Sequence, residues 1–148
     1  MRFSHYIALG DSMSIDLYPA LDVGEAAVAV HLERAAQAGG IAPIGAASLL
    51  HANEDERWPE FAGRDLGSRF PGIGFDNFTS DGATVGEVFA TQLPELPERD
   101  DAVLVTLTVG GNDLLSAFAN RQGARGRDLM GRIVHDIARA YGELVDTI

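Results

Sequence analysis

The chain has 148 residues, a net charge of -11, no cysteine and no lysine. This composition excludes disulfides, a thiolate nucleophile, cysteine-ligated zinc and a P-loop lysine, and the acidic balance argues against nucleic acid or anionic membranes, which require a basic patch. Hydrophobic residues make up 46% and charged residues 22%, the usage of one globular domain with a real core, and no run approaches the roughly 20 apolar residues that cross a bilayer.

Ser4 to Gly10 is a short apolar run closed by glycine and reads as a buried strand. It starts too soon after Met1 to leave room for a signal peptide, so a cytoplasmic location is expected. Glu25 to Ala38 carries Val28, Leu32, Ala35 and Ala36 at helical spacing and stops at Gly39-Gly40. Gly39 to Leu50 reads as loop. The stretch from about 18 to 57 is expected to be an insertion, either a lid or a surface elaboration. A second helix is predicted from Pro59, with Trp58, Phe61, Ala62 and Leu66 on one face, to the breaker Pro71-Gly72.

Ile73 to Phe78 is the second strand, and Thr84-Val85-Gly86-Glu87 has the form of a capping box opening a helix up to Pro94. Ala102 to Val109 is rich in β-branched residues and apolar on both faces, as a central parallel strand should be. The last helix sets Met130, Ile133, Val134, Ile137, Tyr141, Leu144, Val145 and Ile148 along one stripe. Strand and helix alternate three times, which predicts an α/β domain over residues 1–148 with a parallel sheet and right-handed crossovers. Three strands are fewer than the usual four to six, so the sheet is expected to be incomplete at its carboxyl-terminal end.

Three motifs fall at the carboxyl ends of the predicted strands: Gly10-Asp11-Ser12-Met13, Asp81-Gly82-Ala83-Thr84 and Gly110-Gly111-Asn112-Asp113. Functional groups of open parallel sheets collect there. A serine hydroxyl is a weak nucleophile that needs a base, and the tetrahedral intermediate of acyl transfer needs hydrogen-bond donors. The expected donors are the Ser12 amide, read as opening a helix, the Gly82 amide, approachable because no Cβ intervenes, and the Asn112 carboxamide. Each motif alone is also an ordinary turn or cap; their conjunction carries the signal.

Together, from about Tyr6 to Tyr141, these motifs resemble the GDSL (SGNH) hydrolase family. Met13 stands where the family has leucine, and the second block corresponds to Asn77 to Thr84. The family's fourth block, Asp-x-x-His, is missing: His5, His31, His51 and His135 follow Arg2, Val28, Ser48 and Arg132 at three residues' distance. The resemblance implies a three-layer, flavodoxin-like SGNH fold with a parallel sheet. It further implies a serine esterase or lipase acting on an acylated carbohydrate or small lipid ester. Ser12 would be its nucleophile, Gly82 and Asn112 its oxyanion donors, and no metal or organic cofactor is called for. The alternative is a catalytically inactive or truncated SGNH-fold binding module that lacks the base. An apolar third strand left at an edge implies that the chain either is a fragment of a longer protein or self-associates through that edge and the final helix's apolar stripe.

Other signals are weaker. The first motif lacks the second glycine of a Gly-x-Ser-x-Gly nucleophile elbow. His135-Asp136 reads as a polar helix face, Asn77-Phe78-Thr79 is a glycosylation sequon by pattern, and Glu54-Asp55-Glu56 and Glu98-Arg99-Asp100-Asp101 read as solvated loop ends.

Overall fold

β1 (His5–Gly10) is apolar along its length because it is the middle strand of the sheet. In a computed structural model, which describes residues 2–16, 45–119 and 127–148, it pairs in parallel with β2 (Gly74–Asn77) on one side and β3 (Val103–Thr108) on the other. The helix expected from Glu25 to Ala38, with His31, lies outside the described residues, as does most of the 18–57 insertion.

Side chains of β1 alternate between two cores, as the strand period requires. Tyr6 and Ala8 pack with Ala47, Leu66 and Ile73, while Ile7 and Leu9 pack with Val85, Val88 and Leu144. Apart from Ile73, just before β2, these partners come from helices on opposite faces: α1 (Ala46–His51) and α2 (Leu66–Arg69) on one, and α3 (from Val85) and α5 (Arg127–Thr147) on the other. Helix α3 opens at Val85–Glu87, widens into a π turn over Val88–Gln92 and tightens to a 3-10 turn over Leu93–Glu95. Helix α4 is Gly111–Ala119. The described residues therefore form a mixed helix-and-strand fold built on a three-stranded parallel sheet. Full burial of Leu9 and Leu144 contributes about 1.5 to 3 kcal/mol each.

Among the described residues the strand order β2-β1-β3 leaves β3 at an edge, as the short strand count predicts, although its composition reads as central; every one of its residues is only half-buried. Its composition resembles a central strand because side chains on both its faces pack against a core, Leu104 on one and Val103, Val105 and Leu107 on the other; that composition reports its faces and not its edge. Several other expectations are corrected. The supposed loop up to Leu50 ends in α1, whose Ala47 is held in the core, so tertiary burial overrides the breakers that precede it. The helix expected from Pro59 is two pieces. A 3-10 turn over Pro59–Phe61 ends before Gly63, which has φ +70, and α2 starts afresh where the Asp65 carboxylate accepts the Ser68 amide at 2.8 Å. Burial pushes the Asp65 carboxyl up, but the Ser68 amide and hydroxyl more than offset it and hold it below its ordinary value. The apolar stripe of α5 is narrower than its spacing implies: Leu144 is fully buried, whereas Val134 and Val145 are about half exposed.

Candidate functional site

β1 and β3 end at one level, and β2, whose last residue Asn77 lies opposite Ala8, is continued to the same rim by the segment that follows it. Gly10 lies opposite Thr108 in the ladder, the Asp11 amide donates to the Thr108 carbonyl at 2.7 Å, and the Ser80 amide donates to the Gly10 carbonyl at 3.0 Å. Ser12 is two residues past Gly10, Gly82 two past Ser80, and Asn112 sits on the first turn of α4 just after β3. The three sequence-predicted residues thus leave the same rim of the sheet on adjacent elements.

Gly10 makes the first exit possible. Its φ is +125, and a Cβ there would collide with the Thr108 backbone, so only glycine lets β1 turn this close to β3. The chain then makes a tight turn: the Ser14 amide donates to the Asp11 carbonyl at 3.0 Å, and the Met13 amide donates to the buried Asp11 carboxylate at 3.1 Å. Ser12 is half-buried and Met13 is 72% exposed. This corrects one expectation. Residues 11–16 form turns and bends, so the Ser12 amide is a turn donor without a helix field behind it.

Each pair of loops is tied by side-chain bonds. Between the first and second, the Gln92 carboxamide accepts the Gly10 amide at 2.8 Å and donates to the Gly10 carbonyl at 2.9 Å and to Ser80 Oγ at 3.3 Å. Between the second and third, Asn112 Nδ2 donates to the Ala83 carbonyl at 3.0 Å and the Asp113 carboxylate accepts the Val85 amide at 3.1 Å. Between the first and third, the Ser14 and Thr108 hydroxyls lie 2.8 Å apart. No hydrogen bond among the described residues engages the Ser12 hydroxyl, in contrast to buried Ser14. Asn112 keeps its second Nδ2 hydrogen, since the amide carries two. Gly82, at φ +77, stands in an exposed loop with open space around it.

The second loop is held from below by the predicted capping box. Thr84 Oγ1 accepts the Glu87 amide at 3.3 Å, and the Glu87 carboxylate accepts the Thr84 amide and hydroxyl at 2.7 and 2.8 Å. The Thr84 hydroxyl and then its amide hold the Glu87 carboxyl below its ordinary value.

The described histidines stand elsewhere. His5 is at the amino end of β1, where its Nε2–H donates to Asp76 at 2.7 Å and Arg99 lies 3.4 Å from the same carboxylate oxygen. His51 donates to the Ile73 carbonyl at 3.1 Å and stacks on Phe75, also below the sheet's amino ends. His135 is 78% exposed on α5, beside Asp136, which agrees with a polar helix face.

Asp11, Asp113, Ser14 and Gln92 were not singled out from sequence. The two aspartates lie inside the motifs, and Gln92 had a readable signal: it falls at the i+4 and i+7 positions from the inward-facing Val88 and Val85, a polar residue on an apolar stripe. Among the described residues no group of three His, Cys, Asp or Glu could hold a metal ion, and no helix is long and apolar enough to cross a membrane. No family model, curated protein or solved structure matches the chain.

Proposed function

We propose that the chain is a GDSL-type serine hydrolase of SGNH fold that cleaves carboxylic esters, with an acylated carbohydrate or a small lipid ester as substrate class. The observation that carries the reading is the mutual bracing of the three rim loops, with a hydroxyl left unengaged among the described residues at its first turn. Preorganised donors around an available nucleophile are what acyl transfer requires, since donors fixed beforehand need not reorganise as charge develops. Ser12 Oγ attacks the ester carbonyl, and since none of His5, His51 and His135 is bonded toward it, its proton passes to water or another base from solution. The carbonyl oxygen becomes an oxyanion facing the Ser12 and Gly82 amides and the free Asn112 hydrogen. Collapse expels the alcohol, and water releases the acid in a second round.

The placement of the described histidines favours a second reading, in which the rim holds an acyl group or small anion without turnover. None of His5, His51 and His135 is bonded toward the Ser12 turn. A fluorophosphonate probe separates the two. Labelling of Ser12, located by mass spectrometry, is expected of a hydrolase; a label on Ser14 or Ser80 with Ser12 free would overturn the assignment. Acetate binding without any label would favour the binding module.

We also propose that β3 pairs with a second copy of the chain. Because Thr108 turns its carbonyl toward β1, the alternating backbone leaves the amides and carbonyls of Val103, Val105 and Leu107 on the free edge, while their side chains pack against the core. That row carries no charged side chain or proline and is self-complementary for antiparallel pairing. Sedimentation should show a dimer, strengthened by salt that screens the charge of -11. Val105→Pro removes an outward amide without breaking a bond to β1; because the Val105 side chain also packs against the core, circular dichroism checks the fold, and a folded monomer is expected. A monomeric parent chain would refute the pairing.

A further inference from the structure

We infer that Gln92 is a positioning residue that sets the Ser12 turn and the Gly82 loop in register, an assignment that rests on the hydrolase reading of the rim. Gln92 is 3% exposed and lies on the face of α3 that buries Val85 and Val88. A buried carboxamide is tolerated only when its donors and acceptor are satisfied, and all the bonds it makes go to the two loops. Its oxygen takes the Gly10 amide and its nitrogen serves the Gly10 carbonyl, so the side chain mimics a neighbouring strand at the last residue of β1. The same nitrogen reaches Ser80 Oγ. Gly10 leads into Ser12 and Ser80 into Gly82, so one side chain fixes both exits.

The backbone of α3 is shaped around this contact. Gln92 closes the π turn Val88–Gln92, and π turns are rare departures that gather at functional sites. Neighbouring Thr91 satisfies its own hydroxyl locally on the Glu87 carbonyl at 2.7 Å, so Gln92 alone of the two reaches the loops. A side chain there must offer one acceptor and one donor to Gly10 at once. Methionine offers neither in useful strength. Ionised glutamate offers only acceptors and would set a carboxylate against the Gly10 carbonyl, whereas protonated glutamate restores the pairing.

That chemistry supplies the test. Gly10 and Ser80, the groups that face the side chain, are uncharged; burial raises a carboxyl at position 92, and the Asp11 carboxylate, next to Gly10, pushes the same way. For Gln92→Glu, the rate of Ser12 phosphonylation relative to the parent chain should fall roughly 10- to 100-fold at about pH 8 and return toward one at about pH 5. Gln92→Met should be slow at both. Amide hydrogen exchange at Ser12 and Gly82, compared with Leu9 in the core, gives a readout that needs no activity: both variants should exchange faster in the loops at about pH 8, with glutamate protected again at low pH. If the parent chain is never labelled, the hydrolase reading fails, and the exchange data alone decide whether Gln92 registers the loops. Should Gln92→Met fail to fold, the pH profile of Gln92→Glu decides. Parent-like loop exchange in Gln92→Glu at every pH would overturn the inference.

Discussion

Asn112→Ala is expected to lower the turnover of a p-nitrophenyl ester roughly 100- to 1000-fold while KM changes much less. The reason is a division of labour within one amide group. One Nδ2 hydrogen is committed to the Ala83 carbonyl at 3.0 Å, which fixes the plane of the carboxamide; in the proposed reaction the other serves the oxyanion. Alanine removes both. Loss of the donor acts on charge that exists only in the transition state, so it falls on kcat. Loss of the Ala83 bond falls on stability, at about 1 kcal/mol, because the Asp113 carboxylate still ties the third loop to the Val85 amide. Measured kcat and KM, with urea denaturation alongside, separate the two effects. Parent-like turnover accompanied by the stability loss would reduce Asn112 to a tie between loops.

The parts of the molecule legible in the sequence are those with short-range causes. β1 and β2 end close to where their glycine and polar boundaries place them, and the Thr84–Glu87 box forms with both of its reciprocal bonds. Each depends on residues within a few positions of one another. What escaped reading depends on distant partners. α1 is a helix because Ala47 meets the Tyr6 face of the sheet, a fact absent from the six residues of α1. α4 begins at Gly111, inside the motif that reads as a strand-end site or as a turn and cap. β3 reads as central because its two faces are covered, and a strand's composition reports its faces rather than its edges. For the candidate site, the motifs were visible as matches at strand ends, whereas the bracing between them was not. Gln92 and Gly10 are 82 residues apart, and only the packing of α3 against β1 makes them partners.

Gly10→Ala is expected to destabilise the fold by about 4 kcal/mol, a large share of the 5 to 15 kcal/mol that holds a domain of this kind together. Two contributions add. A non-glycine residue at φ +125 carries backbone strain of roughly 1 to 3 kcal/mol. The new methyl group would also press into the carbonyl, carbon and nitrogen of Thr108, and overpacking against immobile neighbours costs roughly 1 to 3 kcal/mol. Relief by movement is closed off, because the Gly10 amide and carbonyl are held by Gln92 and the carbonyl also accepts from Ser80. Moving Gly10 away from β3 would break the bonds that align the first two loops. Gly82→Ala supplies the internal comparison. Its φ of +77 is also unfavourable to alanine, but nothing lies within 4 Å of the added Cβ, so only backbone strain of roughly 1 to 2 kcal/mol remains. Urea denaturation of the two variants should therefore differ by about 2 kcal/mol or more in their loss of stability, with Gly10→Ala the weaker protein. Equal losses would mean that β1 and β3 separate readily at their carboxyl ends, and the Ser12 turn would then lack the rigid base that preorganised catalysis demands.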